Sequence, residues 1–210
     1  MITVFYTRIS HLLKDADFAH YLAQLPEPIQ KRISAYKDEY QQQLRLAGKL
    51  LLKAMIEDKA PHLKTDDPQY SDYSRPYFPG AHFDFNISHS GDLAVCAYLE
   101  NGHIGIDVEA IKPTTLLRDL FTDIEWELLN SDPEHNRLFF ELWTKKEAVQ
   151  KANGTGISDD MKTIEVYTNE VWAYNNHWYL YPIPIDDNYC CYAASNLCDQ
   201  AIVLREFRFP

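Results

Sequence analysis

The chain has 210 residues, 46% of them hydrophobic, and a formal net charge of −11 at pH 7. That is enough apolar material for one large domain or two small ones. The acidic balance argues against a general binder of nucleic-acid backbone. No apolar run approaches the roughly 18 residues a membrane span needs, and the first residues show neither a long apolar stretch nor a cleavage pattern.

Residues 1–7 alternate as a strand, with Ile2, Val4 and Tyr6 on one face. Asp17 is placed to cap a short helix running to Leu25. Pro26 and Pro28 suit the start of a second helix that continues to Tyr36, on which Lys31 and Arg32 form a small basic spot. A long helix is expected over about 38–58. It would bury Tyr40, Leu44, Ala47, Leu51 and Met55. Arg45, Lys49 and Lys53 make a basic stripe along it, at least half of which reads as a solvated face. Residues 65–79 read as loop and short edge strands.

Residues 82–88 and 93–99 read as a hairpin turning at His89-Ser90-Gly91-Asp92. Asn101-Gly102 is a tight-turn signal leading into a third antiparallel strand that runs to Val108. Two short helices follow, over 114–121 and 123–129, with Thr122 or Asp123 as the cap between them. A long helix then runs from about Asn136 to Lys151 and closes at residues 153–156. The tail holds four strand-like runs, 163–168, 178–182, 189–195 and 201–205. The fold class is therefore α+β, with two pseudo-symmetric lobes, each of helices packed on a small antiparallel sheet. The lobes are residues 1–101 and 102–210. Cys96, Cys190, Cys191 and Cys198 match no zinc spacing and read as reduced, mostly buried thiols of a cytoplasmic protein.

The chemistry concentrates in two stretches. Side chains alternate along a strand, so Asp107 and Glu109 share a face. Two carboxylates on one face repel unless a cation lies between them. A hard divalent ion such as Mg²⁺, with oxygen ligands, is the usual answer. On the later helix Glu147 and Lys151 are one turn apart. A surface ion pair of that spacing is worth only about 0.3–0.5 kcal/mol. Set beside Asp107 and Glu109, however, Glu147 becomes a third oxygen ligand and Lys151 a partner for phosphate. With His89 or Arg75 on the opposite side, the site would lie in a cleft between lobes.

Asn86-Ile87-Ser88-His89-Ser90, Gly105-Ile106-Asp107-Val108-Glu109 and Trp143-Thr144-Lys145-Lys146-Glu147-Ala148-Val149-Gln150-Lys151 resemble the three motifs of the 4′-phosphopantetheinyl transferases, in their long, two-lobed Sfp-type form. The resemblance implies transfer of the phosphopantetheine arm of coenzyme A to a serine of an apo carrier protein, with release of adenosine 3′,5′-bisphosphate. It implies that Asp107, Glu109 and Glu147 hold Mg²⁺ and that Lys151 neutralises the pyrophosphate. His89, with Ser88 or Ser90, would receive the 3′-phosphate near Lys31. Arg75 and Pro76 would line the adenine, and Arg45 and Lys146 complete the basic residues at coenzyme A.

Glu147 is the first candidate for the base that takes the serine proton, and Glu125 the second. Two positions depart from the pattern. Leu44 stands where a basic residue is expected, with Arg45 or Gln43 as its substitute, and Arg75 stands where lysine is usual. The carrier would dock on apolar residues Leu116, Leu117, Leu120 and Phe121, which read equally well as core. A second half within one chain implies a monomer. Two other functions fit the same residues: a Mg²⁺-dependent pyrophosphatase acting on a nucleotide, and a non-catalytic coenzyme A-binding module.

Overall fold

A computed structural model describes residues 1–9, 12–63, 68–154, 156 and 159–208. The expected loop at residues 65–67, and Thr155 within the expected helix end, lie outside the described residues. In chain order the elements are β1 (Ile2–Arg8), α1 (Asp15–Leu22), α2 (Glu27–Ser34), α3 (Glu39–Lys59), β2 (Gln69–Tyr70), β3 (Pro76–Tyr77), β4 (Phe83–Ser90), β5 (Leu93–Glu100) and β6 (Ile104–Ala110). They continue with α4 (Asp123–Ser131), α5 (His135–Asn153), β7 (Glu170–Ala173), β8 (Asn176–Pro182), β9 (Tyr189–Ser195) and β10 (Ile202–Glu206). Two four-stranded sheets result, ordered β10-β1-β5-β4 and β6-β9-β8-β7.

Strand alternation sorts the apolar residues into three cores. Phe5, Phe85 and Cys96 face α3, where Leu44, Ala47, Leu51 and Met55 pack on them. On the opposite face Ile2, Val4, Val95 and Ala97 meet Ile106, Val108, Cys191 and Ala193 of the second sheet. The far face of that sheet, with Trp178, Leu180 and Ala194, packs on Phe140, Leu142, Ala148 and Val149 of α5. The order of layers is α3, first sheet, second sheet, α5, an α+β arrangement.

Gly105 permits the last contact. A Cβ there would lie 2.1 Å from the Ala148 carbonyl oxygen and 2.3 Å from the Ala152 nitrogen. Any larger residue at that position would push α5 off β6.

The expected third antiparallel strand leaves its hairpin. β6 pairs with β9, Asp107 opposite Tyr192, and heads the second sheet. Its free edge meets side chains of β4 instead of a backbone ladder. Asp84 accepts the Ile104 amide at 2.9 Å, Asn86 accepts the Ile106 amide at 3.0 Å, and Ser90 accepts the Ala110 amide at 3.2 Å. Polar residues at alternate β4 positions thus satisfy the edge amides of β6.

Three further expectations are corrected. Residues 114–121 form no α-helix, only a short 3₁₀ turn at Arg118–Leu120. His89 and Ser90 belong to β4, so the turn shrinks to Gly91 and Asp92. Residues 163–168 form no strand. There the Val166 amide donates to Glu125 at 2.8 Å and the Ile164 carbonyl accepts from Lys146, so side chains take the place of a neighbouring strand. β10 crosses back to the first sheet and runs parallel to β1. No helix among the described residues is long and apolar enough to cross a membrane.

Candidate functional site: an acidic cluster beside a basic cavity

α5 and β6 bring together the residues singled out around Asp107. α5 is closed by Gly154, whose φ of 78° suits glycine, and whose amide donates to the Gln150 carbonyl at 2.9 Å. Packing of that last turn on Gly105 places Lys151 over β6. Its ammonium lies 2.5 Å from Asp107 Oδ1 and 3.3 Å from Glu147 Oε2. Ser88, from β4, donates to the same Asp107 oxygen at 2.8 Å, and Ser90 donates to Glu109 at 2.6 Å.

Charge is crowded here. Asp107 is 1% exposed and Glu147 is 7% exposed. Burial, followed by the neighbouring Asp107, pushes the Glu147 carboxyl up to about 7. Burial also raises Glu109, with Ser90 opposing and Asp107 reinforcing. Burial works against the Lys151 ammonium, yet Asp107 and Glu147 outweigh it and hold it above the usual lysine value. Asp107 Oδ2 is buried with no hydrogen-bond partner among the described residues.

Among the described residues, no group of three acidic, histidine or cysteine side chains already stands in a metal-ligating arrangement. The donors nevertheless fit a hard divalent cation. They are all carboxylates, one oxygen is bare, and an added positive charge would relieve the repulsion that raises Glu147.

A cavity of about 270 Å³ lies on the N-terminal side, between α2, α3 and β4. Arg32, Arg45, Lys49 and His89 line it, with Pro76 and Asn86. Tyr36 stacks on the Arg45 guanidinium at 4.1 Å, and Tyr70 on Arg32 at 5.4 Å. Among the described residues, none of Arg32, Arg45 or Lys49 has a carboxylate within ion-pair distance. Arg45 Nε is buried without a hydrogen-bond partner among the described residues. Burial and then Arg32 lower the Lys49 pKa, and burial and then Arg45 lower that of His89.

Uncompensated cations in a chain of net charge −11 make an anion site. A smaller cavity of about 180 Å³ shares Ser74, Pro76 and Asn86 with the first and reaches Lys151. The two adjoining cavities together lead from the cations to Lys151, whose ammonium pairs with Asp107 and Glu147.

Other expected site residues stand elsewhere. Lys31 is an exposed surface residue paired with Glu27 at 2.6 Å, and its neighbour Arg32 faces the cavity instead. Ser88 and Ser90 turn toward β6, away from the cations. Glu125 and Lys146 are not part of the acidic cluster. They form a fully buried ion pair at 2.7 Å, where Glu125 closes a capping box with Thr122. Lys146 also donates to the Met161 carbonyl at 2.8 Å. Phe121 is core, whereas Leu117 is exposed. Lys49 was legible only as one member of a basic stripe; burial of its face is what singles it out.

Comparisons with known proteins place this geometry. The family model of the 4′-phosphopantetheinyl transferase superfamily matches residues 103–197. The chain is 44% identical over 88 residues to the 4′-phosphopantetheinyl transferase HetI of Nostoc sp., covering 39% of this chain and 37% of that protein. It is 30% identical over 165 residues to the L-aminoadipate-semialdehyde dehydrogenase-phosphopantetheinyl transferase of Schizosaccharomyces pombe, covering 68% of this chain and 64% of the relative. It is 35% identical over 130 residues to the 4′-phosphopantetheinyl transferase Sfp of Bacillus subtilis, covering 58% and 56%. The chain thus spans between 37% and 64% of the length of these relatives.

Proposed function

We propose that this chain, whose residues 103–197 match the family model of the 4′-phosphopantetheinyl transferase superfamily, transfers the 4′-phosphopantetheine arm of coenzyme A to a serine of an apo carrier protein. The observation that carries the reading is the uncompensated basic cavity, adjoined by a second cavity that reaches Lys151, the ammonium paired with Asp107 and Glu147. A ligand with a phosphate at one end and a diphosphate further along matches that distribution of charge.

In this reading Arg45, Lys49 and His89 bind the 3′-phosphate of coenzyme A. Asp107, Glu109 and Glu147 would hold a divalent cation, which supplies charge neutralisation and a template for the diphosphate oxygens. The Lys151 ammonium turns from Asp107 to a diphosphate oxygen and offsets charge as the bond to the leaving nucleotide lengthens. The seryl oxygen bonds to the phosphorus that carries pantetheine, and the bond from that phosphorus to the bridging oxygen breaks. Adenosine 3′,5′-bisphosphate leaves. Glu147 accepts the seryl proton directly or through a water. Both cavities are lined by one chain, so the reaction needs no second copy.

The test is mass spectrometry of an apo carrier domain incubated with the protein, coenzyme A and Mg²⁺. A carrier heavier by one phosphopantetheine is the expected result. An unchanged carrier with cleaved coenzyme A identifies a hydrolase. An unchanged carrier with intact coenzyme A identifies a binding module.

A further inference from the structure

Arg75 begins as a candidate contact to the adenine, yet both terminal nitrogens of its guanidinium are already engaged. One nitrogen donates to the carbonyl oxygens of Lys151 and, at 2.7 Å, Ala152. Another meets the Asp84 carboxylate at 2.5 Å and the Ile104 carbonyl at 2.7 Å. The side chain is 14% exposed, as is its partner Asp84. Asp84 in turn accepts the Ile104 amide at 2.9 Å. One side chain therefore ties together the last turn of α5, the first residue of β6 and the start of β4.

The chemistry of that junction favours an arginine. The last carbonyls of a helix lack intrahelical donors, and that end carries partial negative charge. A guanidinium satisfies both needs, and its fixed fork reaches several acceptors at once. A lysine is a point charge on a flexible stem and does not. The consequence falls on Lys151. Its carbonyl is held by Arg75 while its ammonium meets Asp107 at 2.5 Å. Fixing the main chain of Lys151 shortens the range over which that ammonium can wander. The Arg75 stem also packs on Gly154, where an added Cβ would come within 3.1 Å of Arg75 Cδ.

We propose that Arg75 is a positioning residue. Its guanidinium clamps the end of α5 onto β4 and β6 so that the Lys151 ammonium stands at Asp107, and it is not the guanidinium that contacts the nucleotide. The inference rests on the transferase reading. A misplacement of about 1 Å can cost about a hundredfold in rate, so the clamp is read in kcat.

The experiment measures kcat and KM for coenzyme A in Arg75→Met, Arg75→Lys, Lys151→Gln and the double variant Arg75→Met/Lys151→Gln, with single-turnover mass spectrometry for the slow ones. Arg75→Met is expected to lower kcat about 10- to 100-fold with little change in KM. Arg75→Lys, which keeps charge and fold, is expected to stay impaired. In the Lys151→Gln background, removal of Arg75 should cost little more, because the two act as a unit.

Losses that multiply across backgrounds overturn the proposal. So does a raised KM at unchanged kcat, or full activity in Arg75→Lys. Amide hydrogen exchange of Arg75→Met gives a reading that needs no turnover. Faster exchange confined to residues 151–154 supports the clamp, and unchanged exchange there overturns it. A wild-type chain that fails to transfer while its variant exchanges in this way sinks the transferase reading alone.

Discussion

Ser88 of β4 and Asp107 of β6 meet between the two sheets at 2.8 Å, and the Lys151 ammonium lies 3.1 Å from the same hydroxyl. The serine donates to the carboxylate and accepts from the ammonium, so one small side chain orders the charged pair. Ser88→Ala is expected to cost about 1–2 kcal/mol, seen as a melting temperature lower by a few degrees. A midpoint equal to wild type would show that the hydroxyl contributes nothing to the pair.

Stability in a chelator should depend on pH through Glu147. Its folded pKa of about 7 lies above its ordinary value of 4.5, so the folded state binds that proton more tightly than the unfolded one. The stabilisation is full below 4.5 and is lost as pH rises through 7. Glu147→Gln lacks this dependence. Its stability relative to wild type should therefore climb across that window by on the order of 1–3 kcal/mol and level off above it. Urea unfolding of both proteins in EDTA at several pH values measures the difference. A difference that stays constant with pH counts against the crowding described for the cluster.

Lys49 and Lys31 separate the buried cavity from the surface. Lys49→Gln should weaken coenzyme A about tenfold or more, the worth of a charge-assisted hydrogen bond, and affect dephospho-coenzyme A much less. Lys31→Gln should leave both within about twofold, as befits an exposed pair. Binding constants for the two ligands decide it. Equal losses for both ligands in Lys49→Gln would remove that residue from the 3′-phosphate.

Glu125 and Lys146 are expected to matter for folding and not for chemistry. Lys146→Met strands a buried carboxylate and should cost about 3–5 kcal/mol. Adding Glu125→Gln removes the stranded charge while keeping an acceptor for Val166, and should recover much of the loss. The double variant should still transfer. A well-folded double variant without activity would return Glu125 to the reaction.

The helix and strand that carry the acidic cluster were readable because each is local. Alternation puts Asp107 and Glu109 together, and the Glu147–Lys151 spacing is one turn. Long-range pairing was not readable. Nothing near Ile104 announces that β6 will leave its hairpin for β9, because that partner lies far along the chain. Lys146 sits next to Glu147 in sequence, but consecutive helix positions diverge by about 100°. One therefore enters the core beside Glu125 while the other meets Lys151. Arg75 carried no local sign of its four acceptors, which come from three different elements. Residues 163–168 looked like a strand because Ile164 and Val166 are buried, a pattern that buried coil shares when side chains satisfy its backbone.

The parallel pairing of β10 with β1, Ile2 beside Ile202, has a consequence for synthesis. β1 leaves the ribosome before α3, the second sheet and α5 are made, and β10 only after them. Until then the outer rim of β1 stays unpaired, a template for any passing strand. The first sheet is thus completed only after the second sheet and α5 have been synthesised, and the open rim of β1 must be kept from other strands for that interval.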